Sequence, residues 1–462
     1  MDKALARRRE FLLISMMLTT MLSSMSILLF NFVLPVIREE FALTSSQVSW
    51  VTSSYTLIYG IGTAIYGKLA DRYKLKHLLT FGLTMFSFAS LLGFLSTTYG
   101  LLLAARCLQA AGAAAIPATA SLVPIRYYPA EKRGRAMGTV FAGVALGNAL
   151  GPIVSALVVS ILEWRWLFAI PLLLLFLLPV YHKFLGDDQV KDTRIDWLGG
   201  GLFAAGVAML LLAVTTQVLW LIGAVIGFVG FVARIRSVEQ PFIQPALFRN
   251  REYTYYLVLA FLVMGISYSL FFTTPLFLAD VYQLPAREIG LVMVPAAAMT
   301  ALLNRQAGKL ADRRGPLALF MIAAVLLFAG YGLLSALIGL PVWVIACLLV
   351  LGYVGQSAMS LVMSRSISLS LPAGQAGVGM GLLMMQNFIA GSVAIGVYSR
   401  IVDLDAERAW NPLAMAPASG AVYSNLFLVL SILWVAIFIV YYVTKHRLLD
   451  RLSTQALDKK GN

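Results

Sequence analysis

Asp71 and Asp312 each sit fifth in the hexapeptide Gly-Lys-Leu-Ala-Asp-Arg, which occurs at Gly67–Arg72 and again at Gly308–Arg313. Both copies close a long apolar run. One such carboxylate, flanked by Lys and Arg, could be a solvated helix end. Two identical copies at equivalent points make that reading much less likely and point to a shared role for the acid and for the glycine four residues before it. Arg72 and Arg313 complete the two motifs. Arg106 and Gln109 lie one helical turn apart inside the run LLLAARCLQAAGAAAIPA. A lone arginine in such a run costs several kcal/mol unless it faces protein or water, so it reads as a coupling or cavity residue. A hydrogen-bond hub to backbone carbonyls is the structural alternative. The other polar groups within apolar runs are neutral: Asn148, which with Arg106 and Gln109 completes the coupling set, and Asn31, Tyr59, Asn304, Gln356, Gln386 and Asn387, which are candidates to line a substrate cavity.

What is missing from the runs is as informative. All 21 Asp and Glu fall in the flanks between runs. His77, His182 and His446 lie in charged flanks, while Cys107 and Cys347 lie inside runs, a scatter that offers no metal site and no nucleophile with a base at one depth. That leaves an intramembrane enzyme without a catalytic set.

These residues must be positioned by helices in a bilayer. With 60% apolar and 12% charged residues, 462 residues cannot coat a soluble globule. Runs of about 20 residues recur from end to end, each long enough to cross the hydrocarbon core as a helix. The hydropathy pattern predicts fourteen spans near 11–36, 46–69, 78–96, 99–123, 136–160, 164–181, 198–216, 218–234, 255–279, 287–309, 317–338, 342–365, 377–401 and 422–443. With the N-terminus inside, 29 of the 35 Lys and Arg fall on one side, which predicts both termini in the cytoplasm. The net charge of +14 is then an orientation signal with some attraction to anionic lipid, and no nucleic-acid partner is expected.

The hexapeptides fall at the ends of spans 2 and 10. A duplicated six-helix unit with spans 7 and 8 inserted reproduces this placement, giving an N-terminal half over 1–195, an inserted pair over 196–236, a C-terminal half over 237–445 and a tail over 446–462. Parallel repeats about an axis normal to the membrane place substrate near the midplane, between halves that rock.

"GKLADRYKLKH" resembles the cytoplasmic loop signature of the major facilitator superfamily, and "LLLAARCLQAAGAAAIPA" resembles its second signature. Span 5 carries Gly143, Gly147 and Gly151 followed by Pro152, a smooth stripe for tight helix packing that resembles the mark of the drug-antiporter branch. "EWRWLFAIP", "DWLGG" and "PALFRNREY" resemble the 14-helix subgroup, and "YGKLADR", "ADVYQLPAREIG", "AGVGMGLL" and "VYSNL" look closest to Gram-positive 14-helix tetracycline exporters. The resemblance implies an all-α integral membrane protein of the major facilitator fold, in the bacterial cytoplasmic membrane. It implies latches in which Asp71 faces the start of span 13 and Asp312 the start of span 5.

The function implied is secondary active export of a small amphipathic compound by alternating access. Tetracycline-like drugs lead, the proton gradient is the suspected energy source, no cofactor is expected, and the protein is expected to be a monomer. Where those exporters carry acids, this chain has Ser24 or a near neighbour in span 1, Asn148 in span 5 and Gly391 in span 13. The expected substrate is therefore neutral, zwitterionic or anionic, not a lipophilic cation, and a facilitator or lipid or amphiphile flippase without proton coupling is the alternative.

Overall fold

The computed structural model describes residues 2–186, 195–372, 375–404, 409–415 and 417–458, with side chains there except at 2–9, 130, 131, 312, 376, 418 and 445–458. The Asp312 carboxylate and the side chains of the tail over 446–462 thus lie outside the described residues. Among the described residues the chain is helical, with no strand. Thirteen segments of the described residues are long and apolar enough to cross a membrane: Glu10–Glu40, Leu75–Phe94, Tyr99–Tyr127, Lys132–Ile161, Trp164–Phe184, Trp197–Thr215, Trp220–Ser237, Arg251–Tyr282, Ala286–Ala311, Arg313–Ala336, Val342–Ser370, Gly377–Asp403 and Ala421–Thr444. These are spans 1 and 3 to 14.

Span 2 is the helix Ser45–Arg72, whose 28 residues reach about 42 Å at 1.5 Å each. It is too polar to join the thirteen because its Ser and Thr residues face other helices instead of lipid; Ser49, Thr52, Ser53 and Thr56 are all buried. Local chemistry fixes where it starts. The Thr44 hydroxyl accepts from the Gln47 amide at 3.1 Å and the Gln47 side chain accepts from the Thr44 amide at 2.9 Å, a reciprocal cap. Span 9 starts at Asn250, whose side chain accepts from the Glu252 and Tyr253 amides, both at 3.1 Å. Spans 10 and 11 separate at Gly315, just past the second hexapeptide, where φ of 79° needs glycine, and Pro316 starts the next helix.

Spans 1 to 6 pack among themselves, span 1 on span 5 and span 4 on spans 2 and 3; spans 9 to 14 do likewise, span 9 on spans 12 and 13. The two groups meet along span 2 with span 13 and span 5 with span 10. Spans 7 and 8 pair with each other and lean on spans 2 and 13 through Leu57, Ile61, Val207, Leu211, Met385 and Ile389. An even number of crossings puts both termini on one face, called the basic face below because most Lys and Arg lie there; the other is the distal face.

Candidate functional site

Residues 134, 138, 141, 145, 148, 152 and 156 share one face of span 5 by helical spacing. Pro152 and Ala156 are buried, and a methyl placed on Gly290 of span 10 would meet the Ala156 Cα at 3.1 Å and the Pro152 carbonyl at 3.4 Å. Gly134, Gly138, Phe141, Ala145 and Asn148 continue that face toward the basic end and are exposed. Span 10 mirrors it: Gly290 and Ala297 are buried, Ala301 and Asn304 are exposed, and the space around Gly308 is open to 4 Å. Spans 2 and 13 behave alike. Ser392 donates to the Ser53 carbonyl at 2.8 Å, and a methyl on Gly60 would meet Phe388 Cβ at 2.8 Å, whereas Gly67, Gly377 and Gly381 have nothing within 4 Å. The two helix groups therefore touch distally and part toward the basic face, leaving a cavity that opens there.

Distal closure is polar. The Arg38 guanidinium of span 1 forks onto both carboxylate oxygens of Asp280 in span 9, with Nη1 to Oδ2 at 3.2 Å, and the Tyr423 hydroxyl of span 14 donates to the same carboxylate. Asp403, the last residue of span 13, accepts from the Ser45 amide at 2.7 Å and the Ser46 amide at 2.8 Å. The acid of the first hexapeptide does not reach across to the other group. Asp71 lies 3.8 Å from Arg126 of its own group and is 55% exposed, so the expected contact with the start of span 13 is not made in this conformation. Gly67 likewise stands in open space because the basic ends have separated. Arg72, Arg313 and Gly308 sit on these parted ends.

Arg106 does not line the cavity. It is fully buried, its Nε donates to the Val51 carbonyl at 3.1 Å, its Nη1 donates to Gln109 at 2.6 Å, and Gln109 donates onward to Ser90 at 2.8 Å. The guanidinium lies between the rings of Phe30, at 4.3 Å, and Tyr55, at 4.0 Å, which supply the attraction that no carboxylate provides. The arrangement is a hub joining spans 1 to 4. Asn31 is similarly committed, accepting from Thr52 at 2.8 Å. The glycine stripe packs span 5 on span 1: Gly143 rests on the Met17 carbonyl, Gly147 on the Met21 carbonyl and Gly151 near Leu28, while Thr20 donates to the Val140 carbonyl at 3.0 Å and Ser155 to the Leu29 carbonyl at 3.1 Å.

On the distal side of the cavity, where the two groups meet, the side chains are aromatic and neutral. Met380, Met384, Asn387 and Gly391 share one face of span 13, between the face that touches span 2 and the face where Gln386 donates to the Leu257 carbonyl of span 9 at 2.9 Å. The Asn387 side-chain oxygen is buried with no hydrogen-bond partner. At Gly391 the ring of Tyr268 fills the notch, 2.6 Å from where a Cβ would sit, so no acidic side chain fits there without displacing that ring. Tyr268 continues into Phe271 and Tyr353 with ring centroids 6.2 and 5.1 Å apart, and Tyr59 meets Phe388 across the groups at 4.8 Å. Asn304 accepts from Ser357 of span 12 at 3.4 Å, and Gln356 beside it is half-buried. Among the described residues no cluster of His, Cys, Asp or Glu could hold a metal.

One clamp had no place among the sequence candidates. Asp196 caps span 7, accepting from the Gly199 amide at 3.0 Å, Arg234 Nε at 3.1 Å and the Phe242 amide at 3.3 Å. Next to it Lys68 of the first hexapeptide donates to the Pro241 carbonyl at 2.5 Å, tying the connection between the helix groups to span 2. The Asp that opens "DWLGG" was read only as part of a subgroup likeness, although an Asp just before an apolar run is a helix-cap signal; its partners, 38 and 46 residues away, left no local trace. Burial pushes the Asp196 carboxyl up, but the Gly199 amide, Arg234 and the Phe242 amide outweigh it and hold the group below its ordinary value. A depressed folded value means the stabilisation is present above the unfolded pKa, about 3.9, and is lost as pH falls through the folded one. Asp196→Asn is expected to lower stability by about 1–3 kcal/mol at pH 7, a gap that narrows in thermal melts below about pH 4.

The Major Facilitator Superfamily model matches residues 16–395. The riboflavin transporter RibZ of Clostridioides difficile is 28% identical over 391 residues, covering 81% of this chain and 84% of that protein. Multidrug resistance protein 3 of Bacillus subtilis is 28% identical over 305 residues, covering 63% and 59% respectively, and the lincomycin resistance protein LmrB of Listeria monocytogenes is 28% identical over 320 residues, covering 64% and 67%. Among solved structures, a POT family transporter in complex with a thioalcohol-conjugated peptide has a TM-score of 0.70 at 13% identity over 96% of each chain. A bacterial homologue of the human lysosomal transporter Spinster, inward-facing and unoccupied, has a TM-score of 0.65 at 15% identity over 94% of this chain and 95% of that one. These two likenesses speak to the fold alone. The match over most of its length, on a chain of apolar helices in this arrangement, makes the protein a multi-pass membrane transporter that belongs to the major facilitator superfamily.

Proposed function

We propose that the protein exports a flat, amphipathic, uncharged, zwitterionic or anionic compound from the cytoplasm by alternating access. The excess of Lys and Arg orients the basic face, and with it both termini, toward the cytoplasm of a bacterial cell, so the structure is the inward-open, loading state. The observation that carries the substrate class is the chemistry where the two groups meet beyond the cavity: rings at Tyr59, Phe388, Tyr268, Phe271 and Tyr353, the unpartnered acceptor of Asn387, and a phenol ring at Gly391 in place of a carboxylate that would add attraction for a cation. Rings stack on planar molecules, and a buried amide oxygen rewards a donor on the substrate edge. Tetracycline-like drugs are the leading substrates. Both they and riboflavin, transported by one relative, are flat and polar-edged.

Export is proposed to draw on the proton gradient, with the proton carried on the substrate or exchanged at helix-end carboxylates. The absence of an acid from the middle of any span favours a second reading, a facilitator or lipid or amphiphile flippase without proton coupling; a pH gradient unchanged by substrate during flux would speak for that one. We expect no cofactor and a monomer. Fluorescence-quench titration of the purified protein tests the substrate class. Riboflavin or tetracycline is expected to bind saturably and to weaken about tenfold in Tyr268→Ala, about the worth of one aromatic stacking contact, while a quaternary ammonium dye does not compete. Tight dye binding that is lost only on substituting a cavity residue contradicts the proposal.

A further inference from the structure

Where span 7 leans on spans 2 and 13, a pocket of about 430 Å³ opens on the distal face, separate from the central cavity and of a size that small ligands fill. Its walls come from both helix groups and the inserted pair: Ser46 and Trp50 of span 2, Thr215 and Thr216 at the end of span 7, and Arg400 and Asp403 in the last turn of span 13. The walls are held in place, because Asp403 bonds span 13 to the Ser45 and Ser46 amides, and a methyl on Gly396 would meet Leu211 at 2.7 Å and Thr215 at 3.1 Å. The polar groups are only partly used. Arg400 and Asp403 stand one turn apart, near enough to pair, yet among the described residues no ion pair joins them and no acceptor meets the guanidinium. Asp403 keeps a lone pair on each oxygen beyond the one each gives to a span 2 amide. Thr215 and Thr216 donate to the Leu211 and Leu212 carbonyls at 2.8 and 2.6 Å, so their oxygens can still accept. Ser46 is 6% exposed and its hydroxyl has no hydrogen-bond partner. The other cation nearby, Arg38, is committed to Asp280.

A lone anion in this pocket would meet Asp403, and a lone cation would meet Arg400. A ligand with both charges on a short link meets neither objection, its anion lying beside Arg400 and its ammonium beside Asp403 and the Trp50 ring. Just past Thr216 the turn between spans 7 and 8 exposes Val218, Leu219 and Trp220, an apolar, aromatic tip suited to a membrane surface, which sets the pocket at the depth of lipid headgroups. We propose that the pocket is a binding site for a phosphate and a primary ammonium carried on one short link, as on the headgroup of an aminophospholipid. Because its walls belong to both helix groups, the pocket exists only while the distal face is shut, so its occupant favours the inward-open state by binding that state alone. The ligand is a regulator, distinct from the exported compound. The site itself goes beyond the proposed export; its effect on conformation rests on the proposed alternating cycle.

Two probes on the purified full-length protein separate a lipid from a soluble occupant. Native mass spectrometry compares retained phosphatidylethanolamine with phosphatidylglycerol, and calorimetry follows free O-phosphoethanolamine. Phosphatidylethanolamine is expected to be retained in preference to phosphatidylglycerol, and about tenfold more weakly in Arg400→Gln, as for the loss of a charged hydrogen bond to phosphate. Thr216→Trp, which fills the pocket from its exposed rim and leaves both charges in place, is expected to weaken retention as well. Saturable binding of O-phosphoethanolamine that both variants lose supports the site with a soluble occupant. No lipid preference together with no binding of the free probe, or binding unmoved by both variants, overturns the site. Spin labels at Lys132→Cys and Lys309→Cys, on the basic ends of spans 5 and 10, in protein with Cys107→Ala and Cys347→Ala, report the conformation. The better-bound probe at about ten times its Kd is expected to raise the ratio of separated to approached labels about tenfold, and not in Arg400→Gln. An unchanged ratio with binding intact overturns the regulatory role. If no condition, exported compound included, yields a second distance, the alternating cycle falls and the site stands on its retention data.

Discussion

Gly147→Ala and Gly143→Ala are expected to cost about 3 kcal/mol or more, at the upper end for overpacking, while Gly151→Ala, one turn further along the same stripe, changes stability by less than about 1 kcal/mol. The chemistry is identical at the three sites; the surroundings differ. A methyl on Gly147 runs into the Met21 carbonyl and one on Gly143 into the Met17 carbonyl, atoms of span 1 that give way only if the backbone moves, and the latter also meets the Thr20 hydroxyl. On Gly151 its first neighbour is Leu28 Cβ at 3.5 Å, ordinary contact. Displacing span 1 also breaks the Thr20 hydrogen bond to the Val140 carbonyl. Thermal unfolding in detergent with size-exclusion yield measures this. Three equal losses would mean the stripe does not set the approach of spans 1 and 5.

The second large effect concerns Arg106. Arg106→Lys keeps the charge but cannot reach Val51 and Gln109 together, nor lie flat between Phe30 and Tyr55. Leaving buried acceptors unpaired and a cation poorly seated is expected to cost about 3–5 kcal/mol, the usual result of breaking a buried charged contact. Because the side chain knits spans 1 to 4 and does not face the cavity, transport and stability should fall together, with transport recovering at low temperature in whatever fraction stays folded. A stable Arg106→Lys protein that binds substrate normally yet fails to transport would place the residue in coupling instead.

Much of this molecule was legible in its sequence. Hydropathy located the spans, including span 2, whose serines and threonines disguise a buried helix. The stripe at Gly143, Gly147 and Gly151 announced tight packing because small residues at spacing four have few other uses in a membrane helix. The repeated hexapeptide suggested a duplicated device, yet which conformation its first copy would be caught in was not written there: two states of one sequence share every local preference and differ only in which long-range contacts are made. That is also why Asp403 escaped notice. It needs Ser45 and Ser46, more than 350 residues away in the chain. Arg106 was rightly singled out as unusual, but its neighbours, Phe30 and Tyr55, look like ordinary apolar-face residues until folding brings them around the guanidinium. At Gly391 the sequence showed only a missing side chain, and the structure supplied the Tyr268 ring that takes its space.

The most direct test of the central claim is uptake into everted vesicles containing the protein, comparing tetracycline and riboflavin with a quaternary ammonium dye while following the pH gradient. The expected result is saturable accumulation of at least one of the two flat, uncharged or anionic compounds, accompanied by collapse of the gradient, and none of the dye. Accumulation of the dye with neither of the others would contradict a cavity built for uncharged and anionic ring systems.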